Sequence, residues 1–305
     1  MRNIAIVGAG KVGSVLGRIL IENGQKIVCV VSRTKKSAGV AARFLKCKNY
    51  SASLAAIPPS TDLILITTPH AAVEHVVHGL VEVEHLKFKR LSVCHASGML
   101  TADVLAPLRK KGATVFSFHP LQTFPRDFSP KDIVPTARGI YYGVDGTPNA
   151  LKRARLLARR LEGKVMEVKP EMRAFYHAAC VVASNHLTTL LSILETMAGH
   201  LGLKEKDFYR VFKPIVMATL HNVERTSPAA ALSGPVARGG VETVADHFAS
   251  IKKMAPELIP YFGTLTLETV KLAERKGSVS PERVLALMDL VQSYIRTNSH
   301  LKETH

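Results

Sequence analysis

The stretch V-G-A-G-K-V-G, residues 7–13, decides the fold that the rest of the sequence has to fit. It places Gly8, Gly10 and Gly13 in the spacing G-x-G-x-x-G, after the apolar run N-I-A-I-V and before a helical pattern. In this spacing the first glycine permits a tight turn, the second lets a pyrophosphate approach the backbone, and the third allows close helix–strand packing. The stretch therefore predicts the start of a dinucleotide-binding βαβ unit, with a plain glycine-rich turn as the alternative.

The helix that follows the glycines provides the predicted phosphate site. Lys11, Val12 and Gly13 form its first turn, whose N–H groups have no partner inside the helix. The helix dipole adds a partial positive charge at the same place. We therefore assign Lys11 and Val12, together with the three glycines, to the cofactor site.

The end of the second predicted strand indicates which dinucleotide binds. The apolar run 26–31 is followed by Ser32, Arg33 and Thr34, where NAD-binding proteins carry an Asp or Glu that binds the ribose hydroxyls. Hydroxyls and a guanidinium bind a 2′-phosphate that a carboxylate would repel, so the sequence predicts NADP(H). The alternative is that Arg33 stacks on adenine and that Lys35 and Lys36 are solvated helix residues.

A third group of cofactor residues is predicted from position alone. Thr67, Thr68 and Pro69 end the apolar run 62–67 and begin the next helical pattern. Because ligands of doubly wound sheets lie outside the carboxyl ends of the strands, we expect these three residues to line the dinucleotide groove.

The order of elements predicts an α/β fold with an N-terminal Rossmann domain, residues 1–168, and an all-α C-terminal domain, residues 169–305. Near-continuously apolar strands that alternate with helices indicate a parallel sheet covered on both faces. The predicted strands are 3–7, 26–31, 62–67, 90–95, 113–118, 139–144 and 164–168, and the early helices are 11–23, 35–46, 70–80 and 101–110. After Lys169-Pro170 the pattern is helical throughout, at 171–201, 205–224, 240–253, 256–276 and 281–296.

Composition limits the classes of protein that the chain fits. With 47% hydrophobic residues, 21% charged residues and no uncharged apolar run of about 18, we expect a globular protein without a membrane span. The chain enters a strand at once, so we expect no signal peptide, and the four scattered cysteines indicate reduced thiols, a cytoplasmic location and no metal site. The net charge of +17 favours anionic ligands, while the absence of a basic tail and of interleaved aromatics argues against nucleic acid.

Two consecutive strand ends carry side chains suited to proton transfer. The stretch C-H-A-S-G, residues 94–98, offers Ser97, and S-F-H-P-L-Q-T-F, residues 117–124, offers His119 and Gln122. Hydride transfer to a carbonyl leaves an alkoxide that needs a proton, and a histidine titrates in the right range. We predict that His119 is catalytic, that Ser97 orients it and that Gln122 contacts substrate. His95, in the first stretch, is expected to be structural.

The helical half adds two further candidates. In A-F-Y-H-A-A-C-V-V-A-S-N-H-L, residues 174–187, His177, Ser184 and Asn185 fall near one helical face, which either contacts a ligand or satisfies itself on backbone. In the stretch 231–247, Arg238 lies in a glycine-rich loop, where its guanidinium either clamps a substrate carboxylate or forms a loop salt bridge.

Taken in order, these motifs resemble the Rossmann-like NADP-dependent oxidoreductases that carry an uncharacterised helical C-terminal domain. That group is related in fold to pyrroline-5-carboxylate reductase, ketopantoate reductase, prephenate dehydrogenase and the 6-phosphogluconate dehydrogenase-like superfamily. The resemblance implies NADP-linked oxidoreduction and a homodimer built through the helical domain.

Two of these relatives sharpen the expected site. Prephenate dehydrogenases carry a catalytic histidine in a His-Pro motif after a strand and a serine on the preceding strand, which Ser97 and His119-Pro120 match. Ketopantoate reductases use a helical Lys followed by Asn, whereas this helix has His177 and Asn185 and no lysine. The resemblance therefore implies that His119 transfers the proton and that His177 and Asn185 bind substrate.

The resulting expectation is an NADP(H)-dependent oxidoreductase acting on a small anionic carbonyl or hydroxy compound, such as a ketopantoate-like 2-keto acid. Two alternatives stay open. One is a cyclic imine reductase of the pyrroline-5-carboxylate type, and the other is a non-catalytic NADP(H)-binding sensor.

Overall fold

The structure, a computed structural model, describes residues 2–299 of the chain; Met1 and residues 300–305 lie outside the described part. It divides into two compact units, Met1–Asn185 and His186–His305, called here the N-terminal unit and the helical unit. The sequence predicted a domain boundary after residue 168, whereas the contacts within the structure divide the chain after Asn185. The domain boundary itself stays a prediction.

The N-terminal unit contains one eight-stranded sheet. Its strands follow the order β3-β2-β1-β4-β5-β6-β7-β8, with β6 and β7 antiparallel and the other neighbouring pairs parallel. The strands are β1 Asn3–Val7, β2 Lys26–Val31, β3 Tyr50–Ser51, β4 Leu63–Ile66, β5 Ser92–His95, β6 Thr114–Pro120, β7 Tyr141–Gly146 and β8 Lys164–Glu167. The first six strands all run parallel, so their carboxyl ends meet at one edge of the sheet. This arrangement confirms the predicted Rossmann domain.

Helices cover both faces of this sheet, which explains why its strands are apolar throughout. Alternate side chains of β1 enter different cores: Ile4 and Ile6 pack with α1, α2 and α6, and Ala5 and Val7 pack with α3 and α4. The helices of the unit are α1 Lys11–Glu22, α2 Lys35–Phe44, α3 Val73–Val81, α4 Ala106–Lys110, α5 Pro130–Ile133, α6 Pro148–Arg160 and α7 Arg173–Val181.

Three elements of the N-terminal unit were not predicted: β3, α6 and the four-residue helix α5. Strand β3 has only two residues, too few for period-2 alternation to reveal it. Helix α6 begins at an N-cap, Thr147, with Pro148 in the first turn, and buries Ala150, Ala154, Leu157 and Ala158 on one face. Because basic residues dominate the rest of the helix, this narrow apolar face gave no clear helical pattern in the sequence.

The predicted helix 171–201 is interrupted by a π-turn. Helix α7 ends at Val181, the π-turn spans Val182–His186, and α8 continues from Leu187 to His200. Single π-turns of this kind occur often at functional sites. Because α7 buries Arg173 and Tyr176 within the N-terminal unit, that unit extends beyond the eight strands.

The helical unit is all-α over its described residues, as predicted. Its helices are α8 Leu187–His200, α9 Glu205–Arg225, α10 Pro228–Ala231, α11 Val241–Met254, α12 Ile259–Lys276 and α13 Pro281–Ser299. Its core is formed chiefly by α11, α12 and α13, around residues such as Phe248, Ile259 and Leu287. By contrast, α9 runs for 21 residues without burying one of them.

One segment, Pro170–His200, is long and apolar enough to cross a membrane by length and composition. Its mean hydropathy is 1.3, and none of the apolar window is buried. A single helix of this kind is weak evidence for a span. The start of the segment is tied to the sheet by the ion pair between Arg173 and Asp145, both buried.

Candidate active site

The glycine turn is held in place by the end of β4. Gly8 has φ +96°, and a methyl group there would overlap the backbone between Thr67 and Thr68. The Thr67 hydroxyl donates to the Gly8 carbonyl at 2.6 Å, and the Thr67 N–H donates to the Val7 carbonyl at 2.7 Å. Only glycine fits this strained, crowded position.

The start of α1 is open to an anion. Gly10 is its N-cap and supplies no capping side chain, and the first turn contains no acidic residue. A methyl group at Gly10 would have no atom within 4 Å, whereas one at Gly13 would overlap the Ile6 side chain and the Gly8 carbonyl. The crowding at Gly13 agrees with close helix–strand packing, and the open space at Gly10 leaves room for a ligand, whose binding there stays a prediction.

Three other predicted cofactor residues are placed as follows, and their contact with a cofactor stays a prediction. The Lys11 ammonium donates to the Phe128 carbonyl in the segment between β6 and α5, so its side chain holds that segment. The Thr68 hydroxyl is buried beside the glycine turn without a hydrogen-bond partner, and Pro69 is exposed at the start of the next turn. An unpaired buried hydroxyl at this place is available to a ligand.

The end of β2 presents cations and no carboxylate. Ser32 is half-buried, while Arg33, Lys35 and Lys36 are exposed, and the first turn of α2 has no acidic residue. The Thr34 hydroxyl accepts from the Ser37 N–H at 3.1 Å and so caps α2. Thr34, the residue after Arg33, therefore fixes the start of α2.

His95 is satisfied by its own loop. The ring is fully buried; Nδ1 accepts from the Ser97 N–H at 3.2 Å, and Nε2 lies 3.0 Å from the Thr101 carbonyl. Burial lowers the pKa of His95 to about 4. Both ring nitrogens are occupied, the geometry of a structural histidine.

Ser97 does not orient His119, contrary to the expectation from sequence. Its hydroxyl accepts from the N–H groups of Met99 and Leu100 and lies 3.2 Å from Nδ1 of His70. The chain turns sharply after β5, and this turn directs the serine back over its own loop. His70, which the sequence did not single out, is the histidine that the Ser97 hydroxyl contacts.

The side chain that contacts His119 is Tyr176. Nδ1 of His119 lies 2.8 Å from the Tyr176 hydroxyl, and the two rings are perpendicular. Across the antiparallel β6–β7 pair, the residue opposite His119 is Gly143, and a methyl group on it would overlap the same hydroxyl. The missing side chain of Gly143 thus creates the space that Tyr176 fills.

His177 lies on the other side of His119. Their ring centroids are 6.1 Å apart. A methyl group on Gly98 would overlap the His177 ring and lie 3.0 Å from Nε2 of His119. The structure therefore brings His119, His177 and Gly98 together at the carboxyl edge of the sheet, and both rings are half-buried.

A buried ion pair between Arg173 and Asp145 holds the elements that carry this cluster in place. Arg173, only 2% exposed, lies with Nη1 3.4 Å from an Asp145 carboxylate oxygen, and its Nη2 donates to the Ser97 carbonyl at 3.0 Å. The Asp145 carboxylate also accepts from the Ser117 hydroxyl and from the Ala102 N–H. The network fixes α7 and the Ser97 loop relative to the sheet.

The same network keeps His119 neutral. Burial, and after it the positive charge of Arg173, lower the pKa of His119 to about 4. A buried imidazole beside a guanidinium is disfavoured as an imidazolium.

The remaining predicted residues lie elsewhere. The Gln122 amide donates to the Thr136 carbonyl and its oxygen accepts from the Thr123 N–H, so it holds its own loop. Asn185 is exposed in the π-turn, and Arg238 is exposed in a short turn of the helical unit. Their contact with substrate stays a prediction. Within residues 2–299 no group of three or more His, Cys, Asp or Glu side chains is placed to hold a metal.

The glycine turn, the open helix start and the sheet order define a Rossmann-like domain, and a family model of that domain matches residues 2–120. Residues 140–269 match a second model, the domain of unknown function DUF2520, which includes α7 and Arg238. The chain thus contains a Rossmann-like domain followed by a DUF2520 domain, as the resemblance implied. A search of curated proteins gave no match.

Solved structures share this fold across most of their length. A Thermotoga maritima protein has a TM-score of 0.67 at 22% identity, covering 90% of this chain and 99% of that one. A Bacteroides fragilis protein, provisionally named an NADP oxidoreductase, has 0.64 at 20%, covering 97% and 98%. A reductive aminase from Aspergillus terreus, solved with NADPH and ethyl-5-oxohexanoate, has 0.60 at 15%, covering 97% and 94%. At these identities the likeness concerns the fold alone.

Proposed function

We propose that the protein is an NADP(H)-dependent oxidoreductase that transfers a hydride between nicotinamide and a small anionic carbonyl or hydroxy compound. The observation that carries the proposal is the His119–Tyr176–His177 cluster, which lies at the same sheet edge as the glycine turn. The names of the Bacteroides and Aspergillus proteins, one an NADP oxidoreductase and one solved with NADPH, support the cofactor.

The residues present fit a phosphorylated dinucleotide. The uncapped N–H groups of Lys11 and Val12, with the open space at Gly10, receive the pyrophosphate. Ser32 and Arg33 bind the 2′-phosphate, because a guanidinium and a hydroxyl favour a doubly charged ester where a carboxylate would repel it. When bound, the nicotinamide supplies or accepts the hydride.

His119 is the residue that exchanges a proton with the substrate oxygen. Its Nε2 lies beside Gly98 and His177, whereas Nδ1 is occupied by Tyr176. In this proposal His177 and Asn185 bind the substrate, and Arg238 pairs with its carboxylate. A ketopantoate-like 2-keto acid is the leading substrate.

A substrate panel tests the proposal. Purified protein is mixed with NADPH and either 2-keto acids or cyclic imines, and the loss of NADPH absorbance is followed. Turnover of a 2-keto acid supports the proposed activity, and turnover of cyclic imines alone favours an imine reductase. NADPH binding without turnover of any compound favours a sensor.

The oligomeric state and the location are part of the same proposal. Helices in water are stabilised mainly by burying an apolar face, yet α9 buries none of its 21 residues in the chain. Exposed apolar side chains lie along α8 and α9, among them Leu190, Val211, Ile215 and Leu220. A second copy of the chain covers this face in a cytoplasmic homodimer.

A further inference from the structure

The Tyr176 hydroxyl has three polar neighbours. They are Nδ1 of His119 at 2.8 Å, the backbone N–H of Gly143 and the thiol of Cys180, one turn further along α7. The side chain itself is buried. A hydroxyl has a single proton to donate and two lone pairs that accept.

The direction of these hydrogen bonds follows from the chemistry of the partners. The Gly143 N–H can only donate, so it offers no acceptor for the phenol proton. Of the other two neighbours, an imidazole nitrogen is a strong acceptor and a thiol sulfur a weak one. The hydroxyl proton therefore points to Nδ1 of His119.

We infer that Tyr176 is a positioning residue: its O–H donates to Nδ1 of His119 and so leaves the ring proton on Nε2, beside Gly98 and His177, as a donor to the substrate oxygen. The inference rests on the proposed function and deepens it. A neutral histidine that donates from a fixed nitrogen polarises a carbonyl without becoming charged.

The arrangement also moves a proton without forming an imidazolium. Once the substrate carbon has received its hydride, the negative oxygen takes the Nε2 proton while Nδ1 takes the Tyr176 proton. The phenolate that remains lies near Arg173, whose guanidinium carbon is 5.3 Å from the ring centre, and burial raises the pKa of Tyr176, which favours the return of its proton. A solvent proton enters at Nε2 as the Nδ1 proton returns to Tyr176, which restores both groups without a doubly protonated ring.

The fixed donor also selects a substrate class. A carbonyl oxygen has lone pairs that accept from Nε2–H, whereas a protonated imine has none on nitrogen. The buried Arg173 charge near His119 adds a repulsion against a cationic substrate. The site therefore favours carbonyl compounds over iminium ions.

The ring tautomer is read directly by NMR of protein labelled with ¹⁵N-histidine, without cofactor or substrate. His119 is assigned by comparison with His119→Gln. We expect an unprotonated Nδ1 and a protonated Nε2 in the wild type, and a mixture of tautomers in Tyr176→Phe. The matched control is Tyr142→Phe, because the buried Tyr142 hydroxyl on β7 has no hydrogen-bond partner.

Kinetics provide the second readout. Tyr176→Phe lowers kcat for a 2-keto acid by about 10-fold to 10²-fold, less than loss of His119, with KM nearly unchanged. Gly143→Ala keeps the phenol but displaces it and gives the same loss, while Tyr142→Phe keeps wild-type rates. A wild-type His119 with its proton on Nδ1, or an unchanged tautomer in Tyr176→Phe, overturns the inference. Because the tautomer is read without turnover, a failure of the proposed activity is distinguished from a failure of this inference.

Discussion

Gly143 lies opposite His119 across the only antiparallel strand pair found in residues 2–299, and the space above it holds the Tyr176 hydroxyl. Reversal of β7 thus brings a strand-end histidine and a tyrosine of α7 into hydrogen-bond contact. The candidate site depends on this pairing of sheet and helix.

His119 is the first residue to replace. His119→Gln removes the proton donor and should lower turnover by about 10²-fold to 10⁴-fold, with NADPH affinity nearly unchanged, because the glycine turn is untouched. Initial rates and a fluorescence titration of NADPH measure the two quantities. His78→Gln, an exposed histidine on α3, is the matched control and should retain wild-type rates. Unaltered turnover in His119→Gln would remove its catalytic role.

Stability should fall in mild acid because two buried histidines resist protonation. Burial, and then the charges around each ring, lower the pKa values of His95 and His119 to about 4. Charged or titratable neighbours are Arg173, His177, Tyr176, Asp145 and His70. The unfolded chain binds these protons near pH 6.5 and the folded chain only near pH 4, so stability is complete above pH 6.5 and is lost below it.

Urea unfolding between pH 4 and pH 7.5 measures this effect. Each histidine contributes a slope of up to about 1.4 kcal/mol per pH unit in that window. His119→Gln should flatten the slope, and His78→Gln should not. An equal slope in both variants and the wild type would show that His119 is not held neutral.

The cofactor assignment depends on Arg33. Arg33→Gln removes a charge-assisted contact worth about 1.5–3 kcal/mol and should weaken NADPH binding by about 10-fold to 150-fold, with little change for NADH. Arg43→Gln, an exposed arginine in the last turn of α2, is the control. Calorimetric titration gives the affinities; equal losses for both dinucleotides would place Arg33 away from the 2′-phosphate.

The exposed face of α9 provides a test of the homodimer. Ile215 is 66% exposed, and Ile215→Glu should convert a dimer into a monomer by light scattering. Leu285→Glu, a change at a similarly exposed leucine of α13, should leave the dimer intact. A monomeric wild-type protein would contradict the homodimer. Binding of the wild-type protein to lipid vesicles would show that the apolar face of α9 contacts a membrane instead.

Much of the N-terminal fold is predictable from sequence because its signals are local. The glycine spacing, the apolar strands and the helix starts each occupy a few consecutive residues, and the family matches and the structure confirm them. Strand β3 was not predicted because two residues are too few to show an alternating pattern. Helix α6 was not predicted because its many basic residues outweigh the few apolar residues of its buried face.

The candidate site was predicted less well because its contacts are tertiary. His119 and His177 were named from residue type and position, and the structure brings them together. In the sequence, Tyr176 and Arg173 resemble ordinary helix residues, and Asp145 lies at the end of a predicted strand. Their contacts form only because β7 pairs antiparallel with β6, which places Asp145 beside Ser117 and within reach of Arg173. The turn after β5 decided the partner of Ser97, and no sequence signal indicated it.

The most direct test of the central claim is calorimetric titration of the wild-type protein with NADPH and, separately, with NADH. The account predicts saturable binding of one NADPH per chain, at least about tenfold tighter than NADH because Arg33 and Ser32 bind the extra phosphate. No binding of NADPH, or equal affinity for the two dinucleotides, would contradict it.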